Sequence, residues 1–143
     1  MKLTAYTALQ GASIVVALGE RGHVALLTDG DDEHLFIPGG RQEPGEDPEA
    51  CARREAREEA GVAAASWTHL GTYTIAPSGT ARVSLYLARG LTLGPQELTD
   101  TEADYKVQWW PLDDAITAAV EGRFHLPAGP LALLLAQRIV SQH

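Results

Sequence analysis

Three glutamates in the stretch REAREE, Glu55, Glu58 and Glu59, stand at i, i+3 and i+4, which puts their carboxylates on one side of a helix. Like charges crowded that closely repel. At about 100° of rotation per residue, Cys51, Ala52 and Ala56 share the side of Glu55 and Glu59, while Arg53 and Arg57 point the other way. The ordinary meaning of an acidic helical run is a solvated face laced with Glu–Arg pairs, and such a face would keep its glutamates with its arginines, opposite the alanines. Here the acids share the small, apolar face, which calls for a cation to neutralise them. Clustered carboxylate oxygens suit a hard divalent ion, Mg²⁺ or Mn²⁺, and no His or Cys stands at ligand spacing to suggest zinc.

The element that must carry these residues is well punctuated. Asp47 is a good N-cap, Pro48 fits the first helical turn, and Gly61 stands where a left-handed residue would stop the helix, so its limits are residues 48 to 60. Before it, Pro38, Gly39, Gly40, Pro44 and Gly45 make a loop whose backbone can come close to a ligand, offering carbonyls to a metal or amides to a phosphate.

Over the 23 positions from Gly40 to Val62 the chain has Gly40, five residues, Glu46, seven residues, Arg54 and Glu55, then Ala56, Arg57, Glu58, Glu59, Ala60, Gly61 and an aliphatic Val62. This resembles the Nudix hydrolase signature at every fixed position. The resemblance implies that Glu55, Glu58 and Glu59 ligate the metal, one of them also able to accept a proton, and that a carbonyl of Gly39 or Gly40 completes the site. It implies too that Glu46 and Arg54 pair, fixing the helix against the loop and orienting Glu55, so that Arg54 is support before it is catalyst. Members of this family commonly draw a further glutamate, as metal ligand or general base, from a later loop. Glu102 is the first candidate for that role, with Glu97 behind it.

The rest of the chain reads as a scaffold. A length of 143 residues suits one domain with a core of its own. With 45% hydrophobic and 21% charged residues the composition is that of a globular protein, and a net charge of −8 leaves no basic footprint for nonspecific nucleic-acid binding. The single cysteine, Cys51, cannot form an internal disulfide and reads as a core thiol. Neither a signal peptide nor an apolar run of membrane-spanning length is recognisable, so a cytoplasmic protein without membrane contact is expected.

Apolar β-branched runs predict strands over 12–18 and 23–28, joined as a hairpin, with another strand over 3–9 and a short one over 35–37 entering the glycine loop. Asp29, Gly30, Asp31 and Asp32 read as a solvated turn, and His34 as a strand-edge residue. After the signature, 66–75 and 82–87 alternate as antiparallel strands about a turn of Pro77, Ser78 and Gly79. Residues 93–105 read as a surface loop and 106–110 as a strand whose Trp109 and Trp110 point to opposite faces, one of them core. Helices follow over 113–121 and 131–142, the latter with Leu131, Leu134, Leu135 and Ile139 toward the core. The fold class expected is α/β, a Nudix-type α/β/α sandwich in which a mixed β-sheet lies between the signature helix and the C-terminal helices.

Pro77 lies 15 residues after Val62, and in this family a proline at about that place resembles the subgroup that hydrolyses ADP-ribose. The same proline is equally at home as a plain turn residue. The substrate class expected is a nucleoside diphosphate linked to another moiety, ADP-ribose or a related nucleotide sugar. A nucleoside triphosphate cleaved to the monophosphate is the alternative, and a non-catalytic nucleotide sensor the next. The partner is thus a small-molecule nucleotide, and the protein a monomer or homodimer.

Overall fold

The computed structural model describes residues 11–30 and 33–141. The strand expected over 3–9, the turn residues Asp31 and Asp32, and the last expected helical residue, Gln142, lie outside them. Among the described residues, six strands and three α-helices follow in the order β1 Gly11–Ala17, β2 His23–Asp29, β3 Gly39–Arg41, α1 Pro48–Ala60, β4 Val62–Thr74, β5 Arg82–Leu93, β6 Tyr105–Pro111, α2 Leu112–Val120 and α3 Ala128–Val140. A 3₁₀ turn, Asp100–Glu102, lies between β5 and β6.

β1 is apolar on both faces because both are covered. Val15 and Ala17 pack with Ala52, Ala56 and Ala60 of α1, while Val16 packs with Leu112 and Ala115 of α2 and Ala132 and Leu133 of α3. The molecule is therefore an α/β/α sandwich. Its main sheet is mixed, in the order β3-β1-β5-β4, with β1 parallel to β5 and the other pairs antiparallel. β2 and β6 form a separate antiparallel pair.

The hairpin expected of β1 and β2 does not form. Their link is the bridge Leu18 to Val24 and the bond from the Gly19 amide to the His23 carbonyl. A strand has two edges, and both of β1's are taken. β5 runs along one from Gly11 to Ala17, and β3 with the Pro38 carbonyl, which accepts from the Val15 amide, holds the other. β2 pairs with β6 instead. The strand expected over 35–37 is reduced to single bridges, Phe36 to Leu27 and Leu35 to Phe124, which are enough to steer the chain into Gly39.

α3 is turned slightly from the expected face. Ala132, Leu133 and Ala136 are buried, Leu131, Leu135 and Ile139 flank them, and Leu134 is exposed. The helix thus presents Leu133 to the core, with Ala132 and Ala136 beside it. Trp109 and Trp110 do point apart; each is half-buried, Trp110 against the α2–α3 side and Trp109 against the α1 side. No described helix is long and apolar enough to cross a membrane.

Candidate metal centre and active site

α1 begins and ends where its sequence dictates. The Asp47 side chain accepts the Ala50 amide at 2.7 Å, Pro48 opens the helix, and Gly61 closes it at φ 66°. A Cβ on Gly61 would also run into the carbonyl of Gly94. On the outer face Glu49 and Arg53 pair at 2.7 Å, four residues apart. Toward the sheet the helix buries Cys51, Ala52, Glu55, Ala56, Glu59 and Ala60, so two of its carboxylates lie among its alanines.

The glycines expected in a loop lie instead in strand β3, paired with β1 as an edge of the main sheet, and they come against those two carboxylates. The Gly39 amide donates to Oε1 of Glu59 at 2.8 Å. A side chain at Gly40 would occupy the space of the Glu55 carboxylate, and one at Gly39 would collide with Ile14 and the Ser13 carbonyl. The Gly40 carbonyl accepts from the Cys51 thiol at 3.4 Å. At Gly39 the neighbouring strand β1 leaves no room for a side chain, and at Gly40 the Glu55 carboxylate of α1 fills the space.

Arg54 binds the Arg41 carbonyl and three glutamates at once. Its Nε and Nη2 donate to the two carboxylate oxygens of Glu46 at 2.8 and 3.0 Å, Nη2 also to the Arg41 carbonyl at 3.0 Å, and Nη1 to Glu55 at 3.3 Å and Glu58 at 3.1 Å. The two-pronged geometry gives direction as well as charge. The guanidinium bound to Glu46 holds that carboxyl down to about 2.

Glu102, from the 3₁₀ turn, completes a cluster with the helix. Oxygens of Glu55, Glu59 and Glu102 lie within 4.8 Å of one another. Glu58 shares Arg54 Nη1 with Glu55, and Glu97 sits at the surface, 3.7 Å from Arg57. Burial pushes Glu55 up to about 7 and Glu59 up to about 9; in both, the neighbouring carboxylates add to the rise, while Arg54 at Glu55 and the Gly39 amide at Glu59 oppose it. Acids that can be neither solvated nor separated are costly to ionise unless a cation joins them, and an all-oxygen set of this kind fits Mg²⁺ or Mn²⁺. Burial also lifts the Cys51 thiol to about 11, which makes it a poor nucleophile.

Beside Glu59 opens a cavity of about 500 Å³, lined by Ile14, Phe36, Tyr105, His125 and Leu126, with Asp29 and Arg41 among its other walls. Phe36 meets Tyr105 edge-on at 5.0 Å, and His125 stacks on His34 at 4.5 Å. Sequence reasoning misses this feature. Phe36 precedes the glycine loop, Tyr105 follows Glu102 and His125 comes after α2, so no local pattern joins them.

A NUDIX domain model matches residues 8–129. The chain is 34% identical over 124 residues to a CMP-5′-(N-acetyl-N-hydroxy-3-aminopropyl)phosphonate hydrolase of Streptomyces rubellomurinus, covering 79% of this chain and 57% of that protein. It is 31% identical over 121 residues to an ADP-ribose pyrophosphatase of Mycobacterium tuberculosis, covering 78% and 58%. The chain thus spans somewhat over half the length of these curated relatives. The crystal structure of an ADP compounds hydrolase superposes with a TM-score of 0.76 at 24% identity, over 92% of this chain and 73% of the other, a likeness of fold.

Proposed function

The chain belongs to the NUDIX domain family, and from that premise we propose that it hydrolyses a nucleoside diphosphate linked to another moiety, ADP-ribose or a related nucleotide sugar first, using Mg²⁺ or Mn²⁺. The observation that carries the proposal is the convergence of Glu55, Glu59 and Glu102 beside an aromatic cavity. The cation-holding set we assign is these three, with Glu58 next to them on Arg54 and a carbonyl of Gly39 or Gly40 as further donors. A divalent ion there supplies positive charge against the phosphate oxygens and lowers the pKa of water.

The chain's own residues have separable tasks. Arg54, anchored by Glu46, orients Glu55; the Gly39 amide holds Glu59. Glu102 faces both from a different element, where it either shares the cation or accepts the proton of the attacking water. Phe36 and Tyr105 offer flat apolar surface to a base or sugar and keep solvent from that side.

The choice of a linked diphosphate is supported by the two relatives, whose names both describe a nucleotide joined to a second group. Pro77 adds little, since it sits in the exposed turn between β4 and β5 and is not among the residues lining the cavity. The test is phosphate release, with phosphatase coupling, from ADP-ribose, other nucleotide sugars, dinucleoside polyphosphates and nucleoside triphosphates with Mg²⁺ or Mn²⁺. Turnover that favours ADP-ribose or its analogues and stops with chelator agrees with the proposal; preference for triphosphates replaces its substrate class. No turnover anywhere, with metal still bound, returns the chain to the sensor reading.

A further inference from the structure

Every helix ends in carbonyls that have no partner within it. In α1 two of them, those of Glu58 and Glu59, and that of the cap residue Gly61 are met from one short stretch. The Glu97 amide donates to the Glu58 carbonyl and the Gly94 amide to the Gly61 carbonyl, each at 2.7 Å, and Nε2 of Gln96 donates to the Glu59 carbonyl at 2.7 Å. The same Nε2 reaches the Tyr105 carbonyl at 3.3 Å. Gln96 stands before the 3₁₀ turn and Tyr105 after it, so one side chain spans the segment from which Glu102 projects and fastens it to the backbone of Glu59.

We propose that Gln96 is a positioning residue, which holds Glu102 opposite Glu55 and Glu59 by tying both ends of the 97–104 segment to the last turn of α1. The inference rests on the reading of Glu102 as part of the metal site. Inside the turn, the Glu102 carboxylate accepts the Thr99 amide at 3.3 Å, which orients the side chain within its own turn. That bond cannot set how far the turn stands from α1. The Gln96 bonds can, because they alone of these contacts join the helix, the loop and the start of β6 through one group. The chemistry is particular to glutamine. Two N–H bonds on one nitrogen serve two carbonyls; glutamate has the same shape without the donors, and asparagine falls one methylene short.

The test is Mn²⁺ affinity, read from the free-ion paramagnetic resonance signal, with thermal unfolding of every variant alongside. Gln96→Ala and Gln96→Glu are expected to weaken Mn²⁺ binding roughly 10-fold, as loss of a group supporting a ligand does. Glu102→Gln should weaken it at least as much, and adding Gln96→Ala to Glu102→Gln should change nothing further, since no carboxylate remains to be placed. Gln96→Asn serves if the other variants fail to fold, with the same expectation. Glu97→Ala, which removes only the surface pair with Arg57, should bind as the wild type does.

Wild-type affinity in the Gln96 variants while Glu102→Gln is impaired would overturn the proposal. So would multiplying effects in the double variant, or an equal loss in Glu97→Ala, either of which would mean general loosening of the loop. Wild-type affinity in Glu102→Gln would remove the ligand and the proposal with it. The reading of the substrate fails separately, by absence of turnover in a wild-type protein that still binds Mn²⁺.

Discussion

Glu59 is 3% exposed, its carboxylate faces two others across less than 5 Å, and the Gly39 amide donates to it at 2.8 Å. Glutamine there keeps the shape and an oxygen for that amide but removes the charge. Glu59→Gln is therefore expected to lower turnover at least ~100-fold while raising the melting temperature of the metal-free protein at pH 8. Steady-state rates and calorimetry on the same preparation check both halves, and a rise in neither stability nor a fall in rate would leave Glu59 without the role assigned to it. Cys51 lies one helical turn before Glu55 but has the opposite prospect. Its thiol, held up at about 11, is buried packing, so Cys51→Ala should retain most activity; inactivation of a variant still folded by circular dichroism would contradict this.

At the scale of elements, the site is where three pieces of backbone meet: β3, α1 and the loop before β6. The joint between the last two is tight at Gly61, which is left-handed and faces the Gly94 carbonyl. Gly61→Ala is expected to cost roughly 1–3 kcal/mol from the backbone conformation alone, with the collision at Gly94 added, as read by urea denaturation. Because Gly94 leads to Gln96 and Glu102, the same change should weaken Mn²⁺ binding, whereas a destabilising change on the far side of the sheet should not.

For the whole molecule the consequence is an unusual dependence of stability on pH. Glu55 and Glu59 bind protons more tightly folded than unfolded, with values of about 7 and about 9 against an ordinary 4.5. The folded state then holds more protons than the unfolded one between those limits, so stability falls as pH rises. The melting temperature of metal-free protein should decline from about pH 5 to pH 9, and saturating Mn²⁺ should flatten or reverse the slope by replacing those protons. Glu59→Gln should remove the upper part of the decline; a slope unchanged by that substitution would assign it to other groups. Glu46, held down to about 2, contributes in the other direction, its stabilisation being lost only in acid below the ordinary carboxylate range.

What is local follows from the order of the amino acids alone. The helix limits, the placement of Glu55 and Glu59 on the alanine face, the outward arginines and the two closely approached glycines all follow from spacing, capping and the size of a side chain. The signature residues also identified the family, and apolar runs located most strands to within a few residues. Partner choice was decided only by the tertiary structure, because a hydrophobic run states that a strand is buried without saying beside what. That is why β2 turned to β6 rather than to β1, and why Leu133 with Ala132 and Ala136, rather than Leu134, faces the core from α3. Likewise, helical spacing groups Glu58 with Glu55 and Glu59, but only the folded chain links Glu58 to Glu55 through Arg54 and brings Glu102 to Glu55 and Glu59 from a turn more than 40 residues further on. The aromatic cavity, built from β1, the approach to the glycine loop, β6 and the segment after α2, exists only once the layers have closed.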